Sequence, residues 1–242
     1  MQLFPNKSFY INVQINTKGN INMTIQKTGN MKPEQRLQIR EGMTVADVKK
    51  YGSKGQQLAA SLFDFDRTGN KKNGYKKDGV FTKQEAELFN NFNFSVKDNT
   101  FTMYDRKQDQ AIEIKYNNPE DLYRVLNDKY NTPSSLWCEN EAGKRIAYLG
   151  DSTEGGKITI DLSKGTVTAD GVDGENLVAS ANKLTVKNSD IEKISTNSKE
   201  LEIQNTKDKG VIWDSSTKVT AGKNTNVKID TESDITLERK NK

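Results

Sequence analysis

From Lys157 to Gln204 the chain reads KITIDLSKGTVTADGVDGENLVASANKLTVKNSDIEKISTNSKELEIQ, and its apolar residues come only in short pairs: Ile158/Ile160, Leu184/Val186 and Leu201/Ile203. Val211/Trp213, Val227/Ile229 and Ile235/Leu237 continue the pattern to the C-terminus, with Val167, Leu177, Ile191, Ile194 and Val219 in the gaps. Each pair flanks one polar residue, the period-two mark of a strand that buries one face. Pairs recur about every 8 to 10 residues, separated by Gly, Asn, Asp or Ser, and helix signals are absent. The spacing predicts stacked coils of about 25 residues, an all-β domain over 151–242 built as a short right-handed parallel β-helix. A meandering antiparallel sandwich is the rival, because regular strand spacing is also its signature.

Upstream the pattern changes. Ile11, Val13 and Ile15 alternate with polar residues, as do Ile21, Met23 and Ile25, and Thr17-Lys18-Gly19-Asn20 between them predicts a hairpin over 10–27. A short strand at Leu37–Arg40 leads to Thr44, which can cap a helix carrying Val45 and Val48. Helical spacing follows over Gln56–Phe63 (Leu58, Leu62, Phe63) and Lys83–Phe92 (Ala86, Leu88, Phe89, Phe92). Strands are expected within Phe94–Tyr116, and Pro119 opens a helix over Leu122, Val125 and Leu126. These elements predict an α+β domain over 1–150.

Between the two central helices lie the words Ser61-Leu62-Phe63-Asp64-Phe65-Asp66 and Asp78-Gly79-Val80-Phe81-Thr82-Lys83-Gln84-Glu85-Ala86-Glu87-Leu88-Phe89. They resemble the two ends of an EF-hand, as in calmodulin-like calcium-binding proteins, over a unit of about 54–92. The resemblance implies Ca2+ held by Asp64, Asp66, Asp78 and Glu85, with the Val80 carbonyl as the backbone ligand. An uninterrupted twelve-residue loop from Asp64 would end on Tyr75, which cannot chelate, so an insertion of about ten residues is required. Placed after Asp66, it makes Asp78 the third ligand and Gly79 the turn, and Asp78 to Glu85 keep the family spacing. Placed after Asn70, it gives those roles to Thr68 and Gly69. The metal-free reading is that Thr82-Lys83-Gln84-Glu85 is a capping box and that Asp64 to Asn70 form Asx turns.

Composition narrows the chemistry. The 242 residues contain no His and one Cys, so no intrachain disulfide, Cys-based zinc site or His general base is available. Carboxylate and carbonyl oxygens are the remaining metal ligands, which favours hard cations. The net charge of +4, spread over 37 basic and 33 acidic residues, forms no basic stripe, so nucleic acid is not an expected partner. No apolar run approaches the ~18–20 residues of a membrane span, and MQLFPNKSFY lacks a signal-peptide core.

Asp170-Gly171-Val172-Asp173-Gly174 reads as a turn, Trp137 and Trp213 as core residues, and Cys138 as a small buried one. No phosphate loop, serine elbow or zinc helix is present. The expectation is a non-catalytic calcium-binding interaction or structural module, with a protein or glycan partner, no membrane insertion and a lean toward an extracellular or cell-surface setting. A carbohydrate-binding or polysaccharide-active β-helix protein is the alternative.

Overall fold

A computed structural model describes residues 8–15, 21–28, 36–65, 77–139, 145–149, 153–208, 211–213, 218–221, 229–230 and 236–238, with side-chain surroundings given within 36–65, 77–139, 146–148 and 153–206. The chain divides into two compact units, 1–36 and 37–242. In the first, β1 (Ser8–Ile15) and β2 (Ile21–Thr28) pair antiparallel. Ile11, Val13 and Ile15 stand opposite Ile25, Met23 and Ile21, so the register brings the alternating apolar residues together on one face.

The second unit opens with α1 (Val45–Tyr51), α2 (Lys54–Phe63) and α3 (Lys83–Asn91). Each starts on a reciprocal capping box: Thr44 with Asp47, Ser53 with Gln56, Thr82 with Glu85. Between α2 and the strands that follow, phenylalanines pack edge to face, with Phe63 centred 5.0 Å from both Phe89 and Phe92. Gly55 faces the same cluster, and a Cβ there would lie 2.7 Å from Phe94 Cβ.

Residues 36–40 belong to no helix and join no sheet. Side-chain amides replace the neighbouring strand: Gln56 Nε2 donates to the Leu37 carbonyl at 2.7 Å and its Oε1 accepts the Leu37 N–H at 3.0 Å. Asn90 does the same for Ile39, at 2.7 and 3.0 Å. The strand expected at Leu37–Arg40 is therefore satisfied by helices, not by a ladder.

β3 (Phe92–Lys97), β4 (Thr100–Asp105) and β5 (Gln110–Lys115) form an antiparallel meander, turned between β3 and β4 by Asp98 and Asn99 at φ 49° and 55°. α4 (Pro119–Asn127) and the pair β6 (Ser135–Glu139) and β7 (Arg145–Leu149) follow. Then come β8 (Thr153–Glu154), β9 (Lys157–Asp161), β10 (Thr166–Asp170), β11 (Asp173–Ser180), β12 (Lys183–Lys187), β13 (Asp190–Thr196) and β14 (Glu200–Gln204). The described chain ends with β15 (Lys207–Asp208), β16 (Val211–Trp213), β17 (Lys218–Ala221), β18 (Ile229–Asp230) and β19 (Thr236–Glu238).

β10 and β11 meet the preceding strands antiparallel, but β10 to β19 pair with one another in parallel, which an antiparallel sandwich lacks. One sheet runs β10-β12-β14-β17-β19 and the other β11-β13-β16-β18. Val167, Leu184, Leu201, Val219 and Leu237 stand in register, as do Leu177, Ile194, Val211 and Ile229. The advance is 17 residues (167 to 184, 184 to 201) and then 18 (201 to 219, 219 to 237). It is shorter than the expected 25 or so because one advance spans only two long strands and two tight corners. At one corner Gly171, Asn188 and Asn205 all adopt positive φ, and the Gly171 and Asn188 N–H groups donate to the carbonyls of Lys187 and Gln204. At the other, Ser198 Oγ accepts the Ala181 N–H at 2.9 Å.

The sheet is continuous across residue 150, where a domain boundary was expected: β9 pairs with β5 in parallel and with β10 antiparallel, so Ile160 lies between Ile114 and Val167. One apolar core extends from Ile39 to Ile203. The second unit is thus a mixed α+β structure built on large sheets, not two separate cores.

Candidate functional site

Asp64 is the C-cap of α2 and Glu85 the third residue of α3, so the loop between them starts and ends on helix termini. Both carboxylates are buried, at 4% and 5% exposure. They hold the loop closed by reaching across it. Asp64 Oδ2 accepts the Gly79 N–H at 3.0 Å, and Glu85 Oε1 accepts the Phe65 N–H at 3.0 Å. Glu85 Oε2 meanwhile accepts the Thr82 N–H at 2.8 Å, completing the capping box. Asp78 Oδ1 accepts the Val80 N–H at 3.0 Å, a local Asx turn that puts Gly79 at φ 81°. Val80 itself is exposed.

A second segment supports the loop. Thr44 and Val80 form an antiparallel bridge, with the Val45 N–H on the Gly79 carbonyl (2.9 Å), the Phe81 N–H on the Met43 carbonyl (2.8 Å) and the Gly42 N–H on the Phe81 carbonyl (2.9 Å). Gly42 also has φ 81°, and each glycine precedes a Thr that caps a helix with an acidic residue three positions on. The resemblance in sequence between Glu41-Gly42-Met43-Thr44…Asp47 and Asp78-Gly79-Val80-Phe81-Thr82…Glu85 is the signal that marks these segments as partners.

The electrostatics follow from burial. Desolvation raises the Asp64 carboxyl above its ordinary range; the Gly79 N–H opposes this, and the Glu85 and Asp78 charges add to it. Lys77 lies at the same end, donating from Nζ to the Ser61 carbonyl at 2.7 Å. Burial pushes its ammonium down to about 8, against the attraction of Asp64 and Asp128. The loop therefore gathers the buried Asp64 and Glu85 carboxylates near the partly desolvated Lys77 ammonium.

Asp66 and the inserted Lys71, Lys72 and Lys76 lie outside the described residues, as do Thr68 and Gly69 of the other alignment. The described donors are all oxygens, which suits a hard cation such as Ca2+. Asp64, Asp78 and Glu85 are not drawn tightly around one point: among the described residues no three acidic, His or Cys side chains converge as a metal group. Asp64 Oδ1 and Asp78 Oδ2 accept no hydrogen bond from the described residues, whereas both Glu85 oxygens are engaged.

The other sequence candidates separate clearly. Asp170 lies at a corner between β10 and β11, bound by Lys187 at 3.0 Å and Asn188 at 2.9 Å, as a turn residue. Cys138 is buried, and burial pushes its thiol up to about 11, unsuited to nucleophilic attack. Trp137 is a correction: expected in the core, it is 41% exposed, because β6 alternates and turns Leu136 and Cys138 inward instead. The side chain of Trp213 lies outside the described set.

Compared with protein-family models, with curated proteins and with solved structures, the chain matches none. Among the described residues no helix is long and apolar enough to cross a membrane.

Proposed function

We propose that this chain is a non-catalytic calcium-binding module that engages a protein or glycan partner. The observation that carries the reading is the burial of Asp64 and Glu85 at opposite ends of one loop, close enough for the Glu85 charge to raise the Asp64 carboxyl. A divalent cation would relieve that repulsion and tie α2 to α3. Asp64, Asp66, Asp78, Glu85 and the Val80 carbonyl are the proposed ligands. Glu85 would exchange at least one backbone N–H for the ion, so the affinity belongs to the weak, extracellular range of such loops, and a cell-surface or secreted setting suits it.

The C-terminal half is, on this reading, a short parallel β-helix of two-strand coils, right-handed as parallel crossovers almost always are. Its role is to offer an extended face to the partner. A carbohydrate-binding reading is favoured by one feature of that face: Thr159, Thr168 and Thr185 stand in one cross-strand row, followed by Glu202, which lies 2.6 Å from Lys183.

Calorimetric titration of Ca2+, with thermal melts in calcium and in chelator, tests the proposal on the native chain and on Asp64→Asn. Saturable binding and a melting point raised by calcium are expected, about 2.7 kcal/mol at a hundredfold excess over Kd. No heat and no shift at millimolar calcium would leave the loop as a metal-free clasp. Binding on a glycan array that is indifferent to chelator would favour the second reading.

A further inference from the structure

A cleft of about 200 Å³ opens beside the loop, and Phe65, Phe92 and Tyr148 are among the residues that line it. Asp105, the last residue of β4, lines it and is only 9% exposed. One of its oxygens is committed to the β4–β5 turn, where Oδ1 accepts the N–H of Lys107 at 2.8 Å and of Gln108 at 3.4 Å. The other, Oδ2, accepts no hydrogen bond from the described residues. Gln110, also in the wall, spends its amide on Thr153 Oγ1 and the Gly155 carbonyl, at 3.3 and 3.2 Å. No lysine or arginine is among the described residues that line the cleft.

Asp105 thus keeps one carboxylate oxygen open to the cleft, where the described lining residues bring no positive charge, and an anion so placed prefers a cation. Aromatic walls strengthen its preference, since ring quadrupoles attract cations as well as apolar stems. The volume is below the range of drug-sized pockets, about 300 Å³ and up, so the occupant is small or is a single side chain. We propose that this cleft binds an organic cation, an alkylammonium or guanidinium group whose charged end meets Asp105 and whose stem lies among the aromatic side chains. The inference does not depend on calcium at the Asp64–Glu85 loop.

The test is titration of the full chain, in chelator, with n-butylammonium and ethylguanidinium, followed by amide chemical shifts in NMR. Saturable shifts around Asp105 and Tyr148 are expected, with n-butanol, the uncharged analogue, at least tenfold weaker. Asp105→Asn keeps an Oδ1 acceptor for the two turn N–H groups, so it should melt like the native chain while losing tenfold or more in cation affinity. Ser134→Trp, at the cleft wall, should block binding without touching the carboxylate. Capped lysine and arginine amides, run beside the free amines, show whether the cation is preferred as a free small molecule or as a side chain of a peptide. Equal binding of n-butanol, undiminished binding by Asp105→Asn, or no saturable shift with either cation on the native chain would overturn the proposal.

Discussion

Glu85 reaches back across its loop to Phe65, its Oε1 on the Phe65 N–H at 3.0 Å, while its Oε2 holds the Thr82 N–H at 2.8 Å. One buried carboxylate thus closes a loop of some twenty residues and starts a helix. Glu85→Ala leaves two N–H groups without their acceptor and is expected to cost about 2–4 kcal/mol in chemical denaturation, with or without calcium. Glu85→Gln retains one acceptor and should cost about half as much. A calcium ligand with no structural role would show its loss only when calcium is present.

The two perturbed groups of the loop set opposite pH windows. Asp64 has a folded-state pKa above its ordinary 3.8, so its contribution is full below that value and is lost as pH rises through the raised one. Lys77 has a folded pKa of about 8 against 10.5, so its penalty is full below 8 and is relieved as pH climbs toward 10.5. Urea melts across pH should therefore show stability falling through the acid range, an effect flattened by Asp64→Asn. They should also show it rising by up to about 2–3 kcal/mol above pH 8, an effect removed by Lys77→Met.

Asn90 is expected to matter more than an ordinary polar residue of a helix. Its amide satisfies both the N–H and the carbonyl of Ile39, whose side chain is buried. Asn90→Ala should cost about 2–4 kcal/mol; Asn90→Asp, which keeps the acceptor and loses the donor, should also destabilise. Hydrogen exchange at the Ile39 amide reports the loss directly.

Asn188 occupies a corner at φ 53° and bonds Asp170 at 2.9 Å. Asn188→Ala should lose about 1–2 kcal/mol from left-handed strain and the missing bond, and Asn188→Gly should recover the strain portion. Equal stability of the two variants would mean that the corner conformation differs from the one described.

Local structure was legible wherever a short-range rule applies. The hairpin followed from alternation, α2 and α3 from apolar spacing, and the start of α3 from Thr82 and Glu85. The 17-residue period is also written in the chain, since Leu184-Thr185-Val186-Lys187-Asn188-Ser189 and Leu201-Glu202-Ile203-Gln204-Asn205-Thr206 align residue for residue. Apolar pairs alone suggest about 25, because they mark strands without saying which strand neighbours which.

What the tertiary structure alone decided is partnership. Gln56 and Asn90 look like polar positions on helices, and nothing local says that their amides stand in for a strand against 37–39. The pairing of Val80 with Thr44, the parallel join of β5 to β9 across residue 150, and the cleft around Asp105 are likewise contacts between distant segments. By itself the sequence determined where the capped helices begin and which segments alternate, because caps, turns and alternation act within a few residues. Which backbone groups they satisfy was left to the folded chain, because a buried N–H or carbonyl accepts any partner that reaches it, and only packing determines which one does.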